Sequence, residues 1–121
     1  MTRNMHIARL ATVCLALAAF AARVEAHAFL DHASPLVGST VSAPSEVRLW
    51  FTQDLEPKFS AAQLRASGGA VLGSAHVDPA DHKQLVIPVH GLTPGHYKVD
   101  WKVLSVDTHR TEGGFGFDIR P

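Results

Sequence analysis

Asp107-Thr108-His109 sets a carboxylate and an imidazole two positions apart. In an extended chain, positions i and i+2 point the same way and stand ~6.6 Å apart at ~3.3 Å per residue, so both side chains could meet at one metal ion. The same tripeptide also reads as a solvated Asp-Thr turn beside a surface imidazole. His27 is the second candidate. Before it come Arg3 and Arg9, an apolar Ala-rich run of 13 residues from Leu10 to Ala22, and Val24-Glu25-Ala26. That order is the pattern of a secretory signal peptide, and the run is short of the ~20 residues a membrane-crossing helix needs. Cleavage after Ala26 would give His27 a free α-amine next to its own imidazole Nδ1, and those two nitrogens close a chelate ring on one ion. An amine with pKa ~7.7–8.0 and an imidazole near ~6.5 give up their protons cheaply near neutral pH, and metal binding pulls them off. The alternative is that His27 is simply the residue the peptidase leaves. Cys14 lies inside the apolar run and is lost with it.

Other histidines carry less. His76, Asp78, Asp81 and His82 crowd a Pro-containing loop that is either a second ion site or a hydrated acidic turn. His32 either backs a site near the chain start or is a polar strand position. His90 and His96 flank Pro94-Gly95 and are expected to face solvent.

Composition narrows the function classes. The 121 residues carry 11 basic and 11 acidic side chains, a balance that argues against holding nucleic acid by a phosphate-neutralising basic face. Removing residues 1–26 takes away Arg3, Arg9, Arg23 and Glu25, leaving 8 basic and 10 acidic residues, a net charge of −2. It also removes Cys14, Met1 and Met5, so the remaining 95 residues contain no sulfur, while seven of the eight histidines stay. A disulfide scaffold and a cysteine nucleophile are thereby excluded. No Ser sits in a Gly-x-Ser-x-Gly elbow, and Gly113-Gly114-Phe115-Gly116 lacks the Lys and the context of a phosphate loop.

The elements that would position these residues are strands. Glu46 to Thr52 alternates, with Val47, Leu49 and Phe51 on one face and Arg48 and Trp50 on the other. His96 to Val106 is the clearest strand, with Tyr97, Val99, Trp101 and Val103 facing one way and Lys98, Asp100 and Lys102 the other, as in a central strand. Phe115, Phe117 and Ile119 repeat the pattern, and shorter strands are predicted at 28–33, 63–66, 70–72 and 85–89. Turn chemistry fills the gaps at Ser34-Pro35, Ala43-Pro44, Ser67-Gly68-Gly69, Pro79 to Asp81, Thr93-Pro94-Gly95 and Gly113-Gly114. About seven short antiparallel strands and no helical period predict an all-β sandwich, and Leu92 to Tyr97 resembles a tyrosine corner. Asp107 and His109 would then lie at the rim, where strands hand residues to binding loops.

His27, Pro35, the Val47 to Thr52 strand, Gly95-His96-Tyr97-Lys98-Val99-Asp100-Trp101, Ser105-Val106-Asp107-Thr108-His109 and Phe115-Gly116-Phe117 together resemble the periplasmic CopC copper-resistance family. The resemblance spans the whole chain from His27 to Pro121. It implies a small Greek-key β-sandwich or barrel, Ig-like, over residues 27–121 after a signal peptide at 1–26. It also implies one Cu(II) per chain, held by the amine and side chain of His27 with Asp107 and His109. An inner-membrane CopD-type copper transporter is the implied partner, and the periplasm the implied location, for a monomer that does not enter the membrane and is not an enzyme.

Two departures from the family pattern stand out. Some members hold Cu(I) in a Met-rich loop, yet the corresponding 67–77 stretch has no Met, and Cu(I) wants soft sulfur ligands. Some place a Glu near the Cu(II) site where this chain has Gln53 followed by Asp54, so water is expected there in place of a fourth protein residue. Imidazole, amine and carboxylate donors suit tetragonal Cu(II), which also tops the divalent affinity order. Two competing readings share these residues. One is a secreted histidine-brace copper oxidase or monooxygenase; the other is an Ig-like interaction module with incidental histidines.

Overall fold

The computed structural model describes residues 28–121; the expected signal peptide, Cys14 and His27 lie outside the described residues. Nine strands form two sheets. β1 (Leu30–Ser34), β3 (Glu46–Phe51), β7 (Gln84–Pro88) and β6 (His76–Val77) make a four-stranded sheet in the order β1-β3-β7-β6. β2 (Thr40–Val41), β9 (Arg110–Ile119), β8 (Gly95–Leu104), β4 (Ala61–Ala66) and β5 (Val71–Ser74) make a five-stranded sheet in the order β2-β9-β8-β4-β5. A 3-10 turn at Pro57–Phe59 is the only helical element among the described residues, and no helix there is long and apolar enough to cross a membrane.

The alternation read from the sequence sets the two inner faces. Val47, Leu49 and Phe51 of β3 are buried, as are Tyr97, Val99, Trp101 and Val103 of β8 and Phe115, Phe117 and Ile119 of β9. They share one core with Leu85 and Ile87 of β7 and Leu64 of β4. Each such side chain stabilises the fold by about 1.5–3 kcal/mol relative to exposure, so the facing rows close the two sheets into a sandwich. Across the layers, Phe51 meets Trp101 edge-on with ring centroids 5.1 Å apart, a favoured aromatic geometry. Gly113, paired with Trp101, makes room for it: a Cβ on Gly113 would lie 2.6 Å from the indole ring.

Two expectations change in detail. The sheets are not wholly antiparallel, because the two-residue β2 runs parallel to the end of β9. The long strand predicted to run to Val106 ends at Leu104, and the chain then turns sharply into β9. The tyrosine corner is present: the Tyr97 hydroxyl donates to the Thr93 carbonyl at 2.5 Å, fixing the entry into β8.

Candidate metal centre

β8 and β9 pair along ten residues each, from Gly95↔Ile119 to Leu104↔Arg110, so their connection is held at one pole of the sandwich. That connection contains both internal candidate ligands. The Ser105 N–H donates to the His109 carbonyl at 3.0 Å, and the Thr108 N–H donates back to the Ser105 carbonyl at 2.9 Å. Between these closing residues lie only Val106, Asp107 and Thr108, and Thr108 takes a left-handed φ of +71°. This is a three-residue hairpin loop whose last position is left-handed, a place usually given to Gly. Asp107 and His109 are therefore not neighbours on an extended strand, as their spacing suggested. A tight turn brings them together instead: Asp107 Oδ2 stands 3.4 Å from His109 Nδ1.

That separation fits a shared ion. Metal–nitrogen and metal–oxygen bonds of about 2.0–2.2 Å put cis donors about 2.8–3.1 Å apart at a right angle and about 3.3–3.6 Å apart at a tetrahedral one, so a square-planar ion would draw this pair together by a few tenths of an ångström. The other Asp107 oxygen accepts a short hydrogen bond from the Ser105 hydroxyl. This bond first, and His109 second, hold the Asp107 carboxyl below its ordinary range, opposing the desolvation that would raise it. The carboxylate is thus kept anionic, as a ligand must be.

The loop is anchored from the facing side of the sandwich. Leu55 forms a bridge with Ser105, the Val106 N–H donates to the Asp54 carbonyl at 3.1 Å, and the Glu56 N–H donates to the Leu104 carbonyl at 2.8 Å. Gln53 and Asp54 thus adjoin the loop, with Asp54 contributing its backbone. The start of the described chain enters at the same pole. Thr111 donates its hydroxyl to the Ala28 carbonyl at 2.5 Å, while Phe29 donates its N–H to Thr52 Oγ1 at 3.0 Å and its carbonyl accepts from the Thr52 N–H at 3.0 Å. Ala28 is fully buried. Ser105, Thr111 and Thr52 escape a search for ligand types because hydroxyls are poor metal donors; the signal they offer is adjacency, Ser105 two before Asp107 and Thr111 two after His109.

The remaining candidates are occupied otherwise. Asp78 accepts from Arg48 at 2.7 Å and from the Ala80 N–H at 2.9 Å, and Asp81 accepts from the Gln84 amide at 2.7 Å and the Lys83 N–H at 3.1 Å. Both carboxylates shape the β6–β7 loop. His32 stacks on Trp50, with centroids 4.4 Å apart and planes inclined by 12°, and its Nδ1 lies 2.7 Å from Asp31. His90 and His96 are exposed as expected, and His96 Nδ1 sits 2.8 Å from Asp118 Oδ1. Among the described residues no group of three or more His, Cys, Asp or Glu side chains is placed to hold a metal. A groove of about 700 Å³ on the outer face of the five-stranded sheet is lined by the Arg65–Asp100 and Lys102–Glu112 ion pairs and contains neither Asp107 nor His109.

Residues 30–120 match the model of the CopC domain. The chain belongs to the CopC family. It is 38% identical over 104 residues to copper resistance protein C of Escherichia coli, covering 78% of this chain and 82% of that one. The crystal structure of CopC from Methylosinus trichosporium OB3b superposes with a TM-score of 0.74 at 33% identity, covering 78% of this chain and 95% of that one. PcoC of Escherichia coli, described as a methionine-rich copper resistance protein, superposes with a TM-score of 0.67 at 32% identity, over 78% of this chain and all of that one. CopC proteins are copper-binding proteins of copper resistance, and this chain carries that family's β-sandwich. It departs from the methionine-rich description, since its two methionines are Met1 and Met5.

Proposed function

We propose that this CopC-family chain binds one Cu(II) outside the cytoplasm, at the pole where the β8–β9 loop meets the chain start, and that it stores or passes on copper without catalysing a reaction. Asp107 and His109 supply a carboxylate oxygen and an imidazole nitrogen 3.4 Å apart. Two donors leave a Cu(II) ion short of its tetragonal set, and the chain enters beside them. The observation that carries the reading is the bond from Thr111 to Ala28. Thr111 is two residues, about 6.6–7 Å, from His109 along the strand, and residue 27 is one Cα step of about 3.8 Å upstream of Ala28. Processing after Ala26 would deliver the amine and imidazole of His27 to that place. Water completes the set in preference to Gln53.

The chemistry favours Cu(II) over Cu(I). The donors are nitrogen and oxygen, and the processed chain has no sulfur to stabilise the monovalent ion. Export to the periplasm, release of the 1–26 leader, a monomeric state and hand-over to an inner-membrane CopD-type transporter belong to the same proposal and rest on the family.

The test is Cu(II) titration of the protein beginning at His27, alongside a form with one extra Ala before it. Tight one-to-one binding by the first and a loss of about tenfold or more in the second support the chelate. Equal affinities would remove the His27 amine from the site. His109→Ala should weaken binding by a similar factor, and unchanged binding would overturn the assignment of the loop.

A further inference from the structure

We infer that Ser105 is a positioning residue for the metal centre: its buried hydroxyl holds one oxygen of Asp107 and thereby presents the other, alone, to the ion beside His109. The inference deepens the proposed copper reading and rests on it.

Ser105 is one of only two buried polar residues in the described core, and it is completely excluded from solvent. A hydroxyl in that position must place its single hydrogen on an acceptor within the protein. Two acceptors are in range: Asp107 Oδ1, in a short contact, and the His109 carbonyl at 3.2 Å. The carboxylate is charged, so it takes the hydrogen, and charge-assisted bonds are roughly twice as strong as neutral ones. The His109 carbonyl is already served by the Ser105 N–H at 3.0 Å. Asp107 Oδ1 is therefore tied back toward the sandwich, and Oδ2 is left on the His109 side, 3.4 Å from Nδ1.

The anchor itself is rigid. Ser105 follows directly on β8, is bridged to buried Leu55, and closes the loop with both of its backbone groups. The carboxylate also bonds the His109 backbone, so without the hydroxyl it would keep that tether but lose the one that fixes which oxygen faces inward. With it, the carboxylate meets the ion through one oxygen in a fixed direction. Groups that orient metal ligands in this way typically matter by 10–100-fold in metal affinity.

The experiment compares Cu(II) affinity and the electron paramagnetic resonance spectrum of the processed wild-type protein with those of Ser105→Ala, Asp107→Ala and the double variant. Ser105→Ala is expected to bind about 10–100-fold more weakly and to give a shifted copper hyperfine pattern. In the Asp107→Ala background the second substitution should cost nothing further, because Ser105 acts through that carboxylate. A thermal melt of each copper-free variant confirms that binding is read well below unfolding. If Asp107→Ala and His109→Ala weaken binding but Ser105→Ala changes neither affinity nor spectrum, the inference fails and the copper site stands. If the Ser105→Ala loss persists undiminished without Asp107, the hydroxyl acts only on the fold, and the inference also fails. If Asp107→Ala binds like wild type, the ligand assignment and this inference fall together.

Discussion

Thr111 donates its hydroxyl to the Ala28 carbonyl at 2.5 Å, joining residues 83 positions apart and pinning the start of the described chain to the strand that follows His109. A threonine on the inner face of β9 thus fixes where Ala28 lies. Thr111→Val keeps the shape and removes the donor. It should cost about 0.5–1.5 kcal/mol of stability by chemical denaturation, the usual worth of one such bond. Cu(II) affinity should fall about tenfold, the effect expected when a ligand loses its support. Native affinity in this variant would separate the chain start from the copper site.

The close approach of Trp101 to Gly113 makes a second, purely structural prediction. A Cβ at 113 would stand 2.6 Å from the indole, and the ring is also engaged with Phe51 at 5.1 Å. Gly113→Ala should destabilise the protein by about 1–3 kcal/mol, the range for overpacked sites. Urea unfolding followed by tryptophan emission reads it, and a midpoint equal to wild type would show that the sheet edge yields without strain.

Tyr97 closes its corner through a 2.5 Å bond to the Thr93 carbonyl and stacks on Phe117 with ring centroids 5.8 Å apart. Tyr97→Phe retains the packing and loses the bond. A stability loss of about 1 kcal/mol in denaturant unfolding is expected, with metal binding unchanged because this corner lies at the other end of β8 from the loop.

Acid should loosen the β6–β7 loop in a predictable direction. Arg48 beside Asp78, and the Gln84 amide beside Asp81, hold both carboxyls below the ordinary carboxylate range. A folded-state value below the unfolded one means the stabilisation is fully present above about pH 4, the unfolded carboxylate range, and is lost as pH falls through the lowered values. Melting temperature should therefore be flat above that range and fall below it. Asp78→Asn should melt lower than wild type at neutral pH, and the gap should close under strongly acidic conditions. A gap that persists there would mean that Arg48 holds the loop by shape and not by charge.

Much of the fold is legible in the sequence because a strand's two-residue period is a local property. Val47, Leu49 and Phe51, then Tyr97, Val99, Trp101 and Val103, name their own buried faces, and a hydrophobic side chain's preference for the interior does not depend on which sheet receives it. The Tyr97 corner is equally local, spanning four residues. For the proposed site, the residue types at 27, 107 and 109 set which metal chemistry is available, since donor softness belongs to the side chain itself.

What the sequence alone could not decide is how those donors meet. Asp107 and His109 come together through a left-handed Thr108, a backbone state that depends on β8 and β9 being zipped on either side of it. In the 76–82 stretch, Asp78 is paired by Arg48, 30 positions earlier. Ser105 matters only once burial forces its hydroxyl onto Asp107, and Thr111 only once Ala28 is carried to it. Composition and periodicity supply the candidate ligands and the strands; contacts between distant segments select which candidates share a place, because hydrogen bonds satisfied at a buried pole are set by the packed chain as a whole.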